Sequence, residues 1–194
     1  MSNAFNDQVD GHHYTDMVMQ PIELAYLVGG TPCFCKLAKY STRVKGDRMI
    51  NLDKAIHCIA LEATMMENHS FMVQENYPAA TSKAKTDQAM LLIDFFTKDP
   101  LIREALKCMY CSYYQDAMIA IRKELFQKVK DTFYTWFPEG VKFTSWDGEA
   151  VELTTDQWIE TIFQLVYMKR WDNDNTTFES MLQAYISQQE TINE

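Results

Sequence analysis

The sequence predicts a mainly α-helical bundle with one short β-hairpin near 141–153. Three observations predict it. Gly and Pro are scarce, 6 and 5 in 194 residues, whereas all-β folds need many turn residues. Pro21, Pro32 and Pro100 each stand where a helix begins. One Asp-Gly pair, Asp147-Gly148, is flanked by β-prone residues. Apolar residues make up 47% and aromatic residues 13%, enough for a core and too much for wholesale disorder.

Residues 1–11 read as a polar tail without the basic and apolar regions of a secretory signal. Pro21 in a first turn and Gly29-Gly30 as a stop bracket a short helix, PIELAYLV. Thr31 and Pro32 repeat the start signal as N-cap and first helical residue, and that helix is expected to run to about Val44. Lys45-Gly46-Asp47 is the break. Asn51 is the expected N-cap of a third helix from Leu52 to about Asn68, with Leu52, Ile56, Ile59, Ala63 and Met66 at helical spacing.

Residues 76–85 are polar and small, a linker or a helix's first turns. TDQAMLLIDFFTK then reads as a helix. Asp99-Pro100 is the clearest start signal in the chain, and no Gly or Pro interrupts the pattern until Pro138. Such length implies a kink or a long strut. The segment VKFTSWDGEAVEL reads as a hairpin around a two-residue turn, and two further helices complete the chain. The resulting organisation is a tail at 1–11, a three-helix region at 12–70, and a helical extension with the hairpin at 71–194, packed with the first region as one unit.

Charge is distributed unevenly. Residues 33–54 hold six basic residues and two acidic ones, a local charge of +4 in a chain of −9, so the remainder carries −13. An acidic body repels a long nucleic acid, whereas a positive island suits a small anion. At 100° per residue, Lys36, Lys39 and Arg43 fall within about 60° of one another, with Tyr40 beside them. Phe34, Leu37, Ser41 and Val44 gather opposite, with Ala38 at their edge. One face therefore enters a core, and the other offers cations to phosphate and a phenol to a base or a hydrogen bond. The competing interpretation is a solvated face paired with acidic neighbours.

The ordered set His12-His13-Tyr14, Gln20–Leu24, Phe34, Lys39-Tyr40, Arg43, Lys45 and Leu52–Ala55 resembles a small phage-encoded family of unknown function whose members are often labelled nucleotide kinase. The resemblance covers about residues 12–66. It implies a viral protein, in the cytoplasm of a host cell, that handles nucleotides or their derivatives. It also implies His13, Tyr14, Lys39, Tyr40, Arg43, Lys45 and Lys54 as ligand-binding residues, to which the helical wheel adds Lys36. Two positions depart from the family pattern. Cys35-Lys36 stands where Gly-Asn is usual, and Leu52-Asp53 reverses the usual Asp-Leu.

Catalytic motifs are sparse. Phosphoryl transfer needs positioned phosphates and usually Mg²⁺, and no G-x-x-x-x-G-K-[ST] loop is present. Glu62 and Glu67 are five apart and do not share a face, as the metal sites of helical pyrophosphohydrolases require. Cys33-x-Cys35 and Cys108-x2-Cys111 have zinc-like spacing, but their apolar surroundings favour buried free cysteine. Asp172–Asn175 lacks the Gly and Glu of a calcium loop. His57 lies off the apolar stripe, as a surface histidine does. No metal or other cofactor is expected, save Mg²⁺ if the protein is a kinase. The odd cysteine count, five, fits a reducing compartment, and no apolar run nears the roughly 20 residues that cross a bilayer.

The expected function is binding of a nucleotide or cyclic (di)nucleotide through the basic helix, sequestering a host defence signal as phage sponge proteins do. The alternatives are a deoxynucleoside monophosphate kinase and a helical oligomer that binds a host protein. Aromatic clusters at Tyr110–Tyr114 and Phe133–Phe137 lead to the expectation of a homo-oligomer.

Overall fold

The computed structural model describes residues 17–76, 82–145, 147–167 and 177–187. Among them are eight helices and one two-stranded antiparallel sheet, the mainly α fold with a short hairpin that the composition predicts. The chain divides into two compact units, 1–125 and 126–194.

The first unit holds α1 (Pro21–Val28), α2 (Pro32–Thr42), α3 (Arg48–Asn76), α4 (Lys83–Phe96), α5 (Pro100–Tyr110) and the first part of α6 (Tyr114–Trp136). Its core is built around α2, which packs against α1, α3 and α5. Phe34, Leu37 and Ala38 of α2 meet Leu24, Leu52, Ile59, Ile93, Leu106 and Ile121 there. Burying each of the large side chains contributes about 1.5–3 kcal/mol.

Pro starts three of these helices where expected. Thr31 Oγ1 accepts the Phe34 amide at 3.0 Å, and Asp99 accepts the amides of Leu101 and Ile102. Gly29 closes α1 at φ 70°, with the Gly30 amide reaching back to the Ala25 carbonyl.

Three boundaries differ from expectation, the first being the end of the third helix, which runs on to Asn76 rather than about Asn68, past a non-helical His69 at φ −137° and ψ 30°. The third helix begins at Arg48, because the Asp47 carboxylate accepts the amides of Met49 and Ile50 at 2.8 and 3.1 Å. Asn51 is instead buried inside that helix, and its Nδ2 donates to the Lys45 carbonyl. The second helix ends at Thr42 rather than Val44. Ser41 and Thr42 hydroxyls both turn back to the Ala38 carbonyl, and the Arg48 guanidinium donates to the Ser41 carbonyl. Val44 is thereby removed from the apolar face and lies 92% exposed.

The long pattern after Pro100 is not one strut. It breaks between α5 and α6 at Ser112, whose φ is 62°. The Ser112 amide donates to the Met109 carbonyl and the Tyr113 amide to the Cys108 carbonyl. This is the hydrogen-bond pattern that glycine usually serves at a helix end, here with serine in the left-handed position.

The second unit holds the rest of α6, β1 (Val141–Thr144), β2 (Ala150–Leu153), α7 (Thr155–Tyr167) and α8 (Phe178–Ser187). Val141 pairs with Leu153 and Thr144 with Ala150. The loop is wider than the two-residue turn expected, since the Ser145 amide bonds the Glu149 carbonyl, with Gly148 at φ 88°. Gly140 is required at the strand entrance: a Cβ there would lie 2.0 Å from the Leu153 carbonyl oxygen. Aromatic rings tie the unit together. Phe178 meets Phe126 and Phe163 at 5.2 and 5.5 Å, and Trp158 meets Phe137 and Phe143, each at 6.2 Å.

Candidate functional site

The sequence-predicted cations emerge from α2, the turn after it, and the first turns of α3. Lys36 is exposed, and Lys39 and Tyr40 are half-buried one turn further along. Burial raises the Cys35 thiol pKa, and the Lys39 and Lys36 ammoniums oppose that rise, so both cations act at one spot. Lys54 comes from α3, and its Nζ lies 5.9 Å from the centre of the Tyr40 ring. Tyr40 packs against the core while this ammonium stands over it.

Arg43 departs from the wheel. The helix has ended, and its backbone is extended at φ −70° and ψ 125°. Its side chain is half-buried, and Nε is shut away from solvent with no hydrogen-bond partner among the described residues. Among those residues, Lys36, Lys39, Arg43 and Lys54 make no ion pair with a carboxylate. Lys45 is exposed on the turn, and its carbonyl anchors Asn51. His13 and Tyr14 lie outside the described residues. So does Asp172–Asn175.

Arg48, in the same basic stretch, is different in kind. Its Nη2 lies 3.1 Å from the Glu124 carboxylate, and Glu124 is buried. A second guanidinium nitrogen holds the Ser41 carbonyl. Arg48 therefore closes the fold.

A second polar cluster, which the motif search passed over, sits at the opposite end of α2. Glu62 is only 5% exposed and accepts a hydrogen bond from the Thr31 hydroxyl. The Tyr114 hydroxyl also bonds it, and Ser112 bonds Tyr114. Burial raises the Glu62 carboxyl pKa, and the two hydroxyls pull it back without cancelling the rise. The sequence did hold a signal: Glu62 lies three residues after Ile59 and four before Met66, inside the apolar stripe of its helix.

The cysteines are all free. Burial, with the Glu62 charge added, pushes the Cys33 thiol up to about 11, so it is not a thiolate at neutral pH. Among the described residues, no three His, Cys, Asp or Glu side chains are grouped as metal ligands, and no helix is long and apolar enough to cross a membrane. His57 is exposed.

No family model, curated protein or solved structure matches the chain. The resemblance of residues 12–66 to the phage family therefore rests on its motif residues alone.

Proposed function

We propose that the protein binds a nucleotide or cyclic (di)nucleotide through the α2–α3 basic face and holds it rather than converting it. One observation carries this reading. In a chain of net charge −9, four cations on α2, the residue after it and the start of α3 (Lys36, Lys39, Arg43 and Lys54) have no carboxylate partner among the described residues, and the Arg43 Nε is buried unpaired. An anion at Lys39 and at the guanidinium's terminal nitrogens would supply the counter-charge that no carboxylate of the described residues supplies. The groups near the start of α2 that are most suited to chemistry are otherwise engaged. Glu62 is closed in by Thr31 and Tyr114, and Cys33 is held in its thiol form. The motif resemblance adds the phage setting, in which a held nucleotide would be a host defence signal taken out of circulation.

The resemblance also supports a second reading, a deoxynucleoside monophosphate kinase using Mg²⁺. Incubation with ATP, Mg²⁺ and a panel of nucleoside monophosphates separates the two. The sequestration reading expects no diphosphate product and intact nucleotide released on denaturation. Diphosphate formation would overturn it.

A further inference from the structure

We infer that this face takes its ligand by two phosphate groups and offers no platform for a base, so that nucleoside diphosphates and inorganic pyrophosphate compete for it regardless of the base. The inference rests on the proposed phosphate-binding role of the face and names its ligand class.

Charge sets the number of phosphates. Two exposed cations, Lys36 and Lys54, and two half-buried ones, Lys39 and Arg43, have no carboxylate partner among the described residues, and a terminal phosphate carries about −1.5 to −2 near neutral pH. One terminal phosphate leaves about half of that charge unneutralised, whereas a diphosphate, with about −1 more on its inner group, neutralises most of it. Asp47 and Asp53 are the carboxylates in the same stretch. Asp47 caps α3, and Asp53 is exposed and forms no ion pair among the described residues.

Length agrees with charge. Lys36 and Lys39 are separated by three residues of helix, about 4.5 Å of rise, and Arg43 follows four residues later. Arg43 leaves from extended backbone after the helix rather than from the helical row of Lys36 and Lys39, so a second phosphate serves it without drawing all three cations to one point. A diphosphate engages Lys39 and Arg43 together, with oxygens on the guanidinium's terminal nitrogens.

Tyr40 decides against the base. A stacking residue must present a free ring face. Here the ring packs against the core and carries the Lys54 ammonium above it. Tyr40 is a positioning residue for Lys54, and a base would have to displace that cation from the ring while the phosphates recruit it.

The test is isothermal titration of the full chain with orthophosphate, pyrophosphate, ADP, GDP and adenosine. Pyrophosphate is expected to bind at least about tenfold tighter than orthophosphate. ADP and GDP should agree within about threefold, each displaced by pyrophosphate, and adenosine should give no heat. Tyr40→Ala, which removes the ring from under Lys54, should weaken pyrophosphate binding by about two- to fivefold and Tyr40→Phe should restore it, and no weakening by Tyr40→Ala overturns the positioning role. Equal affinity for orthophosphate and pyrophosphate, binding of adenosine, or a preference above about tenfold between ADP and GDP overturns the inference and leaves the nucleotide reading standing. Absence of binding to every phosphate compound overturns both.

Discussion

The two ends of α2 solve opposite problems. At its start, Thr31, Glu62, Tyr114 and Ser112 form a closed hydrogen-bonded chain around a buried carboxylate. At its last turn and beyond, Lys39, Arg43 and Lys54 carry charge that no carboxylate among the described residues meets. The first end holds α2 against α3 and α6 within the first unit. The second holds nothing in the fold that requires its charge. Polarity alone therefore does not separate a binding face from a structural contact in this molecule; on the proposed reading, polarity left unmatched does.

Substitutions at the two ends should separate stability from binding. The largest effect is expected from Lys39→Ala combined with Arg43→Ala. Two charge-assisted contacts at about 1.5–3 kcal/mol each predict a loss of pyrophosphate affinity of at least about a hundredfold. The melting temperature of the unliganded protein should not fall, since neither side chain pairs with a carboxylate. Next comes Glu62→Ala at the closed end. It leaves the half-buried Thr31 and Tyr114 hydroxyls without their acceptor and should cost about 1–2 kcal/mol in urea unfolding. A cost below about 0.5 kcal/mol would show that the cluster does not hold the fold.

Glu62→Gln probes the same end through pH. The folded carboxyl has a pKa above the ordinary value of 4.5, so the native state binds more protons than the unfolded chain across that interval. Its contribution to stability is therefore greatest below pH 4.5 and declines as pH rises towards the raised folded value. Glu62→Gln should remove that decline and stabilise the protein relative to wild type at neutral pH. A slope unchanged in the variant would assign the pH dependence to another group. The smallest effect is expected at Gly29, where alanine meets no neighbour within 4 Å but must adopt φ 70°. That predicts a loss of about 1 kcal/mol, read as a lower urea midpoint at unchanged m-value.

Much of the fold was legible because its signals are local. Pro21, Pro32 and Pro100 start helices where the sequence places them, and the strands flank Asp147-Gly148 as expected. The break at Ser112 was not legible, because serine carries there a left-handed backbone that usually announces itself as glycine. The start of α3 was misplaced because Asp47 and Asn51 are equally good caps by residue type, and only the packing of α3 buries the second. Of the candidate site, the sequence showed the positive island but could not sort it. Arg43 and Arg48 look alike in the chain. What separates them is Glu124, 76 residues from Arg48 and brought to it by folding. Val44 fell off the predicted apolar face for a related reason: Arg48 seals the end of α2 two residues before it.

Those two arginines offer the most direct test. Arg43→Ala and Arg48→Ala should be compared with wild type by pyrophosphate titration and by thermal melting. Arg43→Ala is expected to lose at least about tenfold in affinity while its melting temperature holds or rises slightly, since an unpaired buried donor is removed. Arg48→Ala is expected to lose about 1–2 kcal/mol of stability, because buried Glu124 gives up an ionic partner, while affinity measured well below its melting temperature stays within about twofold. The account is contradicted if the pattern inverts, with Arg43→Ala melting early and binding normally, or if wild type binds no pyrophosphate at all.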